Sequence, residues 1–155
     1  MSAPIKILGV GNVWRGDDGV GPFIAGQLAN RLPELTIRSC NGEITGLLGE
    51  FEHCNELLLI DAIDAASANL RPGSVLRLDA GDPALTQSGL RASSSHVLGV
   101  MEALTLARTL DLLPDKCAVI GVAGKRFEHR QELSPPVQRA AETLVEDLSR
   151  EYDHA

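Results

Sequence analysis

The sequence predicts an α/β fold, a three-layer sandwich in which a mostly parallel, twisted sheet of about five strands is flanked by helices. Two observations predict it. Short apolar runs alternate with longer segments of helical periodicity along all 155 residues. The most strand-like run, Leu57–Ala62, begins with four large apolar residues, which is typical of a central parallel strand covered on both faces.

The first half of the chain supplies two predicted strands and two helices before that central run. Ile5–Val10 is an apolar strand that ends at a glycine turn. A helix over Pro22–Leu32 follows, because proline suits the first helical turn and apolar residues recur on one face. Leu35–Cys40 is the second strand, and an Asn-Gly turn separates it from a short helix over Thr45–Glu52.

The second half continues the alternation. A segment in which apolar and polar residues alternate is typical of an edge strand. A loop rich in Gly, Pro and Ser follows it. The next element is a helix, for which Ser94 or Ser95 is a suitable N-cap. A last buried strand and a closing helix, which begins at a Ser-Pro-Pro sequence, complete the sheet and its cover. These elements are the edge strand Ser74–Leu78, the helix Val97–Leu110, the strand Ala118–Ala123 and the helix from Ser134 onward.

Composition limits the size and surroundings of the molecule. At 155 residues, 44% of them hydrophobic, the chain is long enough for one domain, residues 1–155, with a well-buried core. No apolar stretch approaches the length of a membrane span, and the first residues lack the apolar region of a secretion signal. We therefore expect a cytoplasmic protein.

Charge and cysteine content argue against several classes of protein. The formal net charge is −7, and the nearest basic segment, Lys125–Arg130, is short and contains an acid, so a solvated loop is favoured over a nucleic-acid interface. Three cysteines without Cys-x-x-Cys spacing do not suit a disulfide framework or a zinc knuckle. Cys117 fits a core position, and Cys40, at a strand end, leaves a reactive role open.

Several polar residues are predicted at one edge of the sheet. Asp17 and Asp18 lie in the loop after the first strand, and Asp61 closes the apolar run of the central strand. His96 lies at the start of the Val97–Leu110 helix. Right-handed crossovers gather the carboxyl ends of parallel strands at one edge, where such folds keep their ligands. Two carboxylates and a neutral imidazole suit a divalent metal ion, so we predict a cation or acid–base site there.

Each of these residues also has an ordinary structural interpretation. Asp18 fits the N-cap of the first helix, Asp61 fits an Asx turn at a strand end, and His96 fits a capping or surface position. Asp17 and Asp64 fit solvated or supporting positions better than direct ligation of a metal. The predicted site therefore depends on the shared location of these residues and not on any one of them.

Six short motifs follow one another along the chain, and their order is characteristic. They are Gly9-Val10-Gly11-Asn12, Asp17-Asp18-Gly19-Val20-Gly21, Ile60-Asp61-Ala62, Ser94-Ser95-His96, Ala118-Val119-Ile120-Gly121-Val122 and Leu133-Ser134-Pro135. In this order the chain resembles the endopeptidases that mature [NiFe] hydrogenases. The resemblance covers nearly the whole chain. A glycine-acid loop followed by Asp-Ala and Ser-x-His is more specific than a single Gly-x-Gly.

The resemblance implies a function for the site. Members of that family trim the C-terminal extension of the hydrogenase large-subunit precursor once nickel has been inserted. Asp18, Asp61 and His96 stand at the positions of the two acids and the histidine that engage that nickel. The resemblance thus implies a peptidase with these three catalytic and metal-binding residues. Its nickel comes with the substrate, and the enzyme is expected to be a monomer that needs neither nucleic acid nor membrane.

One loop departs from the family pattern. Where the family usually has Asp-Gly-Gly-Thr after the second strand, this chain has Asn41-Gly42-Glu43-Ile44-Thr45. The turn glycine is kept, but the acid has become an amide and a new carboxylate follows it. Glu43 has two interpretations, as an additional metal ligand or as a surface acid.

Two other functions are alternatives to peptidase activity. A nickel-binding hydrogenase accessory protein would use the same three residues, so only a cleavage assay separates the two. A dinucleotide-binding domain needs Gly-x-Gly-x-x-Gly, but Trp14 occupies the position of the third glycine. The chain has no His-Glu-x-x-His motif and no nucleophile in a strand-elbow context. Water activated by a carboxylate or by the metal is therefore the expected nucleophile.

Overall fold

The computed structural model describes residues 4–81, 95–130 and 132–153, and for residues 95–98 it describes the main chain alone. Ser94 and most of the polar loop before it lie outside the described residues. The strands are β1 (Ile5–Val10), β2 (Thr36–Cys40), β3 (Glu56–Asp64), β4 (Val75–Asp79) and β5 (Lys116–Gly124). The helices are α1 (Val20–Arg31), α2 (Ile44–Glu50), α3 (Ala65–Ala68), α4 (Ser95–Thr109) and α5 (Pro135–Tyr152), and a 3-10 turn spans Gly16–Gly19.

The strands form one sheet in the order β2-β1-β3-β5-β4. All neighbours are parallel except β4, which runs antiparallel to β5 at the edge. From β1 the chain proceeds first to β2 on one side and then to β3 on the other. The order of the sheet therefore reverses at β1, and the crevice beyond the carboxyl ends of β1 and β3 is its switch point. The predicted α/β class, the mostly parallel sheet and its edge strand are confirmed.

Helices cover both faces of the sheet. On one face α1 and α5 pack against Leu58 and Ile60 of β3, and on the other α2 and α4 pack against Leu57 and Leu59. Because successive residues of a strand point to opposite faces, a strand covered on both sides is apolar at consecutive positions. The apolar run of β3 follows from this rule. No helix within the described ranges is long and apolar enough to cross a membrane.

Two glycines bring α1 against the backbone of the sheet. A Cβ on Gly21 would lie 2.6 Å from the carbonyl oxygen of Val10. A Cβ on Gly9 would overlap the Gly21 carbonyl and lie 2.8 Å from the Cβ of Ala25. These positions leave no room for a side chain. The first turn of α1 therefore lies directly on β1, and the loop between them is held over the carboxyl ends of β1 and β3.

The structure differs from the predicted elements at three places near this crevice. β3 continues beyond the predicted Ala62 to Asp64, because its last residues remain paired with β5. The first helix begins at Val20, two residues early, and the preceding Gly16–Gly19 segment is a 3-10 turn where the sequence predicts a loop. The one-turn helix α3 is too short to be revealed by periodicity.

Candidate active site

Asp61 lies inside β3, three residues before its end, so the interpretation of Asp61 as an Asx-turn residue at a strand end is wrong. Pairing of β3 with β1 reaches Ile60, whereas pairing with β5 continues to the end of the strand. β1 ends at Val10, so Asp61 occupies the position where β3 loses its neighbour on that side. Its side chain is 2% exposed, and Oδ1 accepts a hydrogen bond from the Ala62 N–H at 2.8 Å. The carboxylate is therefore buried at the switch point.

Asp18 lies in the 3-10 turn before α1 and is also 2% exposed. Its Oδ2 accepts a hydrogen bond from the Asn12 N–H at 3.1 Å. The N-cap of α1 is Gly19, without a capping side chain, so the N-cap interpretation of Asp18 is wrong. Gly11, with φ of +147°, passes so close that a Cβ there would overlap the Asp18 carbonyl. The loop folds back over the end of β1 and brings Asp18 to the same edge as Asp61.

Asp17 is fully buried and has a supporting role. Its carboxylate accepts hydrogen bonds from the N–H groups of Lys125 (2.8 Å), Arg126 (3.0 Å) and Ser134 (2.7 Å), and from the Ser134 hydroxyl (2.8 Å). These donors follow β5 or precede α5. Of the two interpretations that the sequence leaves for Asp17, solvated and supporting, the second is confirmed. Its partners lie 108 to 117 residues away, so no local pattern could have revealed them.

His96 lies in the first turn of α4, as the sequence predicts, but its side chain is outside the described part of the structure. The start of α4 has a defined place. A Cβ on Gly99 would lie 2.5 Å from the Gly42 carbonyl oxygen. Gly42 follows β2, whose last residue pairs with the last residue of β1. α4 therefore begins at the sheet edge where the two carboxylates lie.

Cys40 lies at this edge with a poorly acidic thiol. Burial raises its pKa, the backbone hydrogen bond at Gly42 lowers it, and the charges of Glu50 and Asp61 raise it. The net result is a pKa above the ordinary 9.0. Because the thiolate is the reactive form of cysteine, this environment opposes a nucleophilic role for Cys40.

The two other acidic candidates take part in local turns. Glu43 is exposed just before α2, where its Oε1 accepts a hydrogen bond from the Thr45 hydroxyl at 3.1 Å. Asp64 is half-buried at the end of β3, and its Oδ1 caps α3 by accepting from the Ala66 N–H at 3.0 Å. For Glu43 the geometry favours the surface interpretation over metal ligation.

The arrangement offers groups that could hold a divalent metal ion. Two buried carboxylates lie at one edge, and a helix that carries a histidine begins there. Carboxylate oxygens and imidazole nitrogens are ligands of divalent transition metals, including nickel. Among the side chains that the structure describes, no three His, Cys, Asp or Glu form a metal-binding group. The described residues thus offer the two carboxylates of Asp18 and Asp61, and His96 would complete the set.

The chain is similar in sequence to hydrogenase maturation proteases. The family model described as HycI, hydrogenase maturation protease, matches residues 42–151, a range that includes Asp61 and His96 but not Asp18. The Hydrogenase 2 maturation protease of Escherichia coli (strain K12) is 31% identical over 149 residues. That match covers 93% of this chain and 87% of the E. coli protein.

The fold is similar to solved structures of proteins with the same description. The hydrogenase maturating endopeptidase HybD from E. coli matches with a TM-score of 0.77 and 28% identity, over 94% of this chain and 89% of that chain. The [NiFe] hydrogenase maturation protease HybD from Thermococcus kodakarensis matches with a TM-score of 0.76 and 25% identity, over 95% and 97% of the two chains. The resemblance based on the motifs is thereby confirmed over nearly the whole length.

Proposed function

The chain belongs to the hydrogenase maturation protease family and is a peptidase, and we propose that it removes the C-terminal extension of a [NiFe] hydrogenase large-subunit precursor after nickel insertion. In this proposal Asp18, Asp61 and His96 bind the nickel that the precursor carries. The metal is part of the substrate and is not held permanently by the enzyme. The precursor would therefore be cleaved only after its nickel has been inserted.

The observation that carries the proposal is the burial of two carboxylates at the switch point. Asp18 and Asp61 are each 2% exposed, and they come from different segments of the chain. Each carboxylate accepts a backbone hydrogen bond, from the Asn12 N–H and from the Ala62 N–H respectively, which offsets part of the cost of burying it. Their position beyond the carboxyl ends of β1 and β3 is where open α/β sheets bind ligands. This supports a shared role in binding.

In this proposal the residues of the chain have two tasks: they position the substrate and they transfer protons. Binding of the precursor's metal centre to Asp18, Asp61 and His96 would fix the scissile peptide bond beside the crevice, and positioning accounts for a large part of many enzymatic rate enhancements. Hydrolysis also needs an activated water: a carboxylate of Asp18 or Asp61 would take its proton, or the metal would lower its pKa. When bound, nickel supplies Lewis acidity. The raised pKa of Cys40 opposes a thioester route.

The proposal also covers the compartment, the oligomeric state and the protein partner of the enzyme. The enzyme would act in the cytoplasm as a monomer, with the large-subunit precursor as its protein partner and without nucleic acid or membrane. Cys40, Cys54 and Cys117 are free thiols, which suits a reducing compartment. The net charge of −7 does not suit binding to nucleic-acid phosphates.

Intact-mass spectrometry of the cognate precursor, nickel-loaded or nickel-free, tests the proposal. We expect a discrete C-terminal peptide to be lost from the loaded precursor alone. Asp61→Asn and His96→Ala should slow this cleavage about a hundredfold or more, because each removes a group that positions or activates the reactants. Asp64→Asn is the matched control. It makes the same chemical change three residues further along β3, and it should leave the rate unchanged.

Two outcomes would contradict the proposal. Equal cleavage of loaded and nickel-free precursor would remove nickel from recognition. A loaded precursor that binds the wild-type protein through Asp61 and His96 but keeps its full mass would instead indicate a nickel-binding accessory protein without peptidase activity.

A further inference from the structure

Two large apolar side chains are exposed beside the site. Trp14, the single tryptophan of the chain, is 67% exposed, and Val13 is 56% exposed. Together with His129, Arg130 and Glu132 they line a groove of about 690 Å³. Adjacent exposed apolar side chains with a polar rim are characteristic of binding surfaces.

The groove is built from two loops that are bonded to each other. The Arg130 N–H donates to the Trp14 carbonyl at 2.6 Å, and the Asp17 N–H donates to the Arg126 carbonyl at 2.6 Å. The buried carboxylate of Asp17 holds the same two segments together from below. Trp14 is therefore presented on an ordered support, and a partner that binds there meets a surface that needs little ordering.

The exposed side chains of the two loops carry more positive than negative charge, although the molecule as a whole is acidic. Four exposed cations and two exposed carboxylates give them a positive balance, against a net charge of −7 for the chain. No ion pair within the described part of the chain involves any of the four cations. The cations are Arg15, Lys125, Arg126 and Arg130, and the carboxylates are Glu128 and Glu132.

The groove and the candidate active site share one loop. The Asn12 N–H donates to Asp18 Oδ2 at 3.1 Å, and Asn12 Oδ1 accepts from the Trp14 N–H at 2.9 Å. Asn12 thus links the two positions directly. A partner seated against Trp14 would extend to the crevice in which Asp18 and Asp61 are buried.

We infer that this groove docks the folded body of the large-subunit precursor, at an acidic part of its surface that presents an apolar side chain; the inference rests on the proposed function. The combination of tryptophan and arginine on a rigid support is typical of the energetic centre of protein–protein interfaces. Positive charge spread over two loops complements an acidic surface and steers its approach. The C-terminal extension itself is the other occupant that the test distinguishes.

Kinetics with the nickel-loaded precursor test the docking surface. Trp14→Ser and Arg130→Glu change exposed side chains, so the fold is retained. Each should raise KM about tenfold, as expected of residues at the centre of an interface, and leave kcat unchanged, because docking contributes equally to substrate and transition state. Leu110→Ser, at a residue 54% exposed after α4, and Arg139→Glu, exposed on α5, are matched controls that should leave KM unchanged.

A synthetic peptide of the C-terminal extension separates the two occupants. Because Trp14 is the single tryptophan, its fluorescence emission reports directly on this groove. We expect a tryptophan-free extension peptide to leave the emission unchanged and not to inhibit cleavage. A peptide that shifts the emission and inhibits would overturn docking of the body in favour of the extension.

Binding measured without cleavage keeps this inference separate from the proposed function. In the Asp61→Asn background, adding Trp14→Ser should weaken binding of the loaded precursor about tenfold. If wild-type protein cleaves but Trp14→Ser and Arg130→Glu change neither KM nor Kd, the docking surface is wrong and the proposed function stands. If nothing is cleaved but Trp14→Ser still weakens binding, the function fails and the docking surface stands. A precursor that neither binds nor is cleaved contradicts both.

Discussion

Asp17 and Asp18 are adjacent and both buried, yet they serve different parts of the molecule. In the tight 3-10 turn their side chains diverge. The carboxylate of Asp17 accepts four hydrogen bonds from the segments around β5 and α5. That of Asp18 contacts the loop after β1, at the edge where Asp61 lies. One residue thus supports the loop, and its neighbour lies at the edge of the sheet that the proposed site occupies.

Asp17→Asn should lower the free energy of unfolding by about 3 kcal/mol, because an amide NH₂ would face N–H donors in a fully buried position. Asp64→Asn provides the comparison. Asparagine caps a helix about as well as aspartate, so this change should cost less than about 0.5 kcal/mol. Urea unfolding of both variants measures the difference. Similar stabilities for the two variants would show that Asp17 does not hold the loops together.

At the scale of elements, the position of α1 decides the shape of the crevice. Its first turn contacts the backbone of β1 because Gly9 and Gly21 carry no side chains. Because the helix lies so close to the strand, the loop that joins β1 to α1 folds back over the end of the sheet. Asp18 is placed by this close packing of helix on strand, in addition to its own hydrogen bond.

Gly21→Ala should destabilise the protein by about 2 kcal/mol, since the new methyl group would lie 2.6 Å from the Val10 carbonyl oxygen and overpack the helix against the sheet. Gly26→Ala, on the same helix, is the matched control. A Cβ there meets nothing within 4 Å, and alanine should stabilise the helix by about 0.5–1 kcal/mol. Thermal or urea unfolding should therefore show shifts of opposite sign. A neutral Gly21→Ala would mean that α1 can move away from β1 freely.

At the scale of the whole molecule, one of the two cores contains all the thiols. Cys54 and Cys117 are buried between the sheet and the α2/α4 layer, and Cys40 packs against the same cluster. Burial is the main cause that raises the pKa of each. For Cys117 the pKa is raised to about 12, with smaller contributions from Cys54 and Asp79. Burial in the folded protein therefore favours the neutral form of all three thiols.

Stability should consequently fall at alkaline pH. Below the ordinary thiol pKa of 9.0 the Cys117 proton is bound in both states; above it the unfolded chain loses the proton first, until the pH reaches about 12. The stability that Cys117 contributes relative to Cys117→Ala should shrink by about 1.4 kcal/mol per pH unit in that window. Comparing the two proteins by urea unfolding removes the contribution of Tyr152, whose pKa is also raised, chiefly by burial. A constant difference would contradict the prediction.

Local patterns predicted most of the fold. The apolar run of β3 and the Ser-Pro-Pro start of α5 are recognisable because burial on both faces and helix initiation each constrain adjacent residues. The predicted end of β3 was wrong. Pairing with β5, and not the local sequence, extends the strand to Asp64. Asp18 and Asp61 are candidates from their place after apolar runs, and both are buried. Their role at the site stays a prediction.

By itself, the sequence determined the order of strands and helices along the chain, apart from the one-turn helix α3 and the 3-10 turn, and it predicted the edge of the sheet for Asp18, Asp61 and His96. Parallel strands with right-handed connections leave few other arrangements. Only the tertiary structure decided that Asp17 supports the loops, that Asp61 lies inside a strand, and that Trp14 is exposed beside the site. These properties depend on hydrogen bonds and close approaches between segments up to 117 residues apart, which no local periodicity encodes.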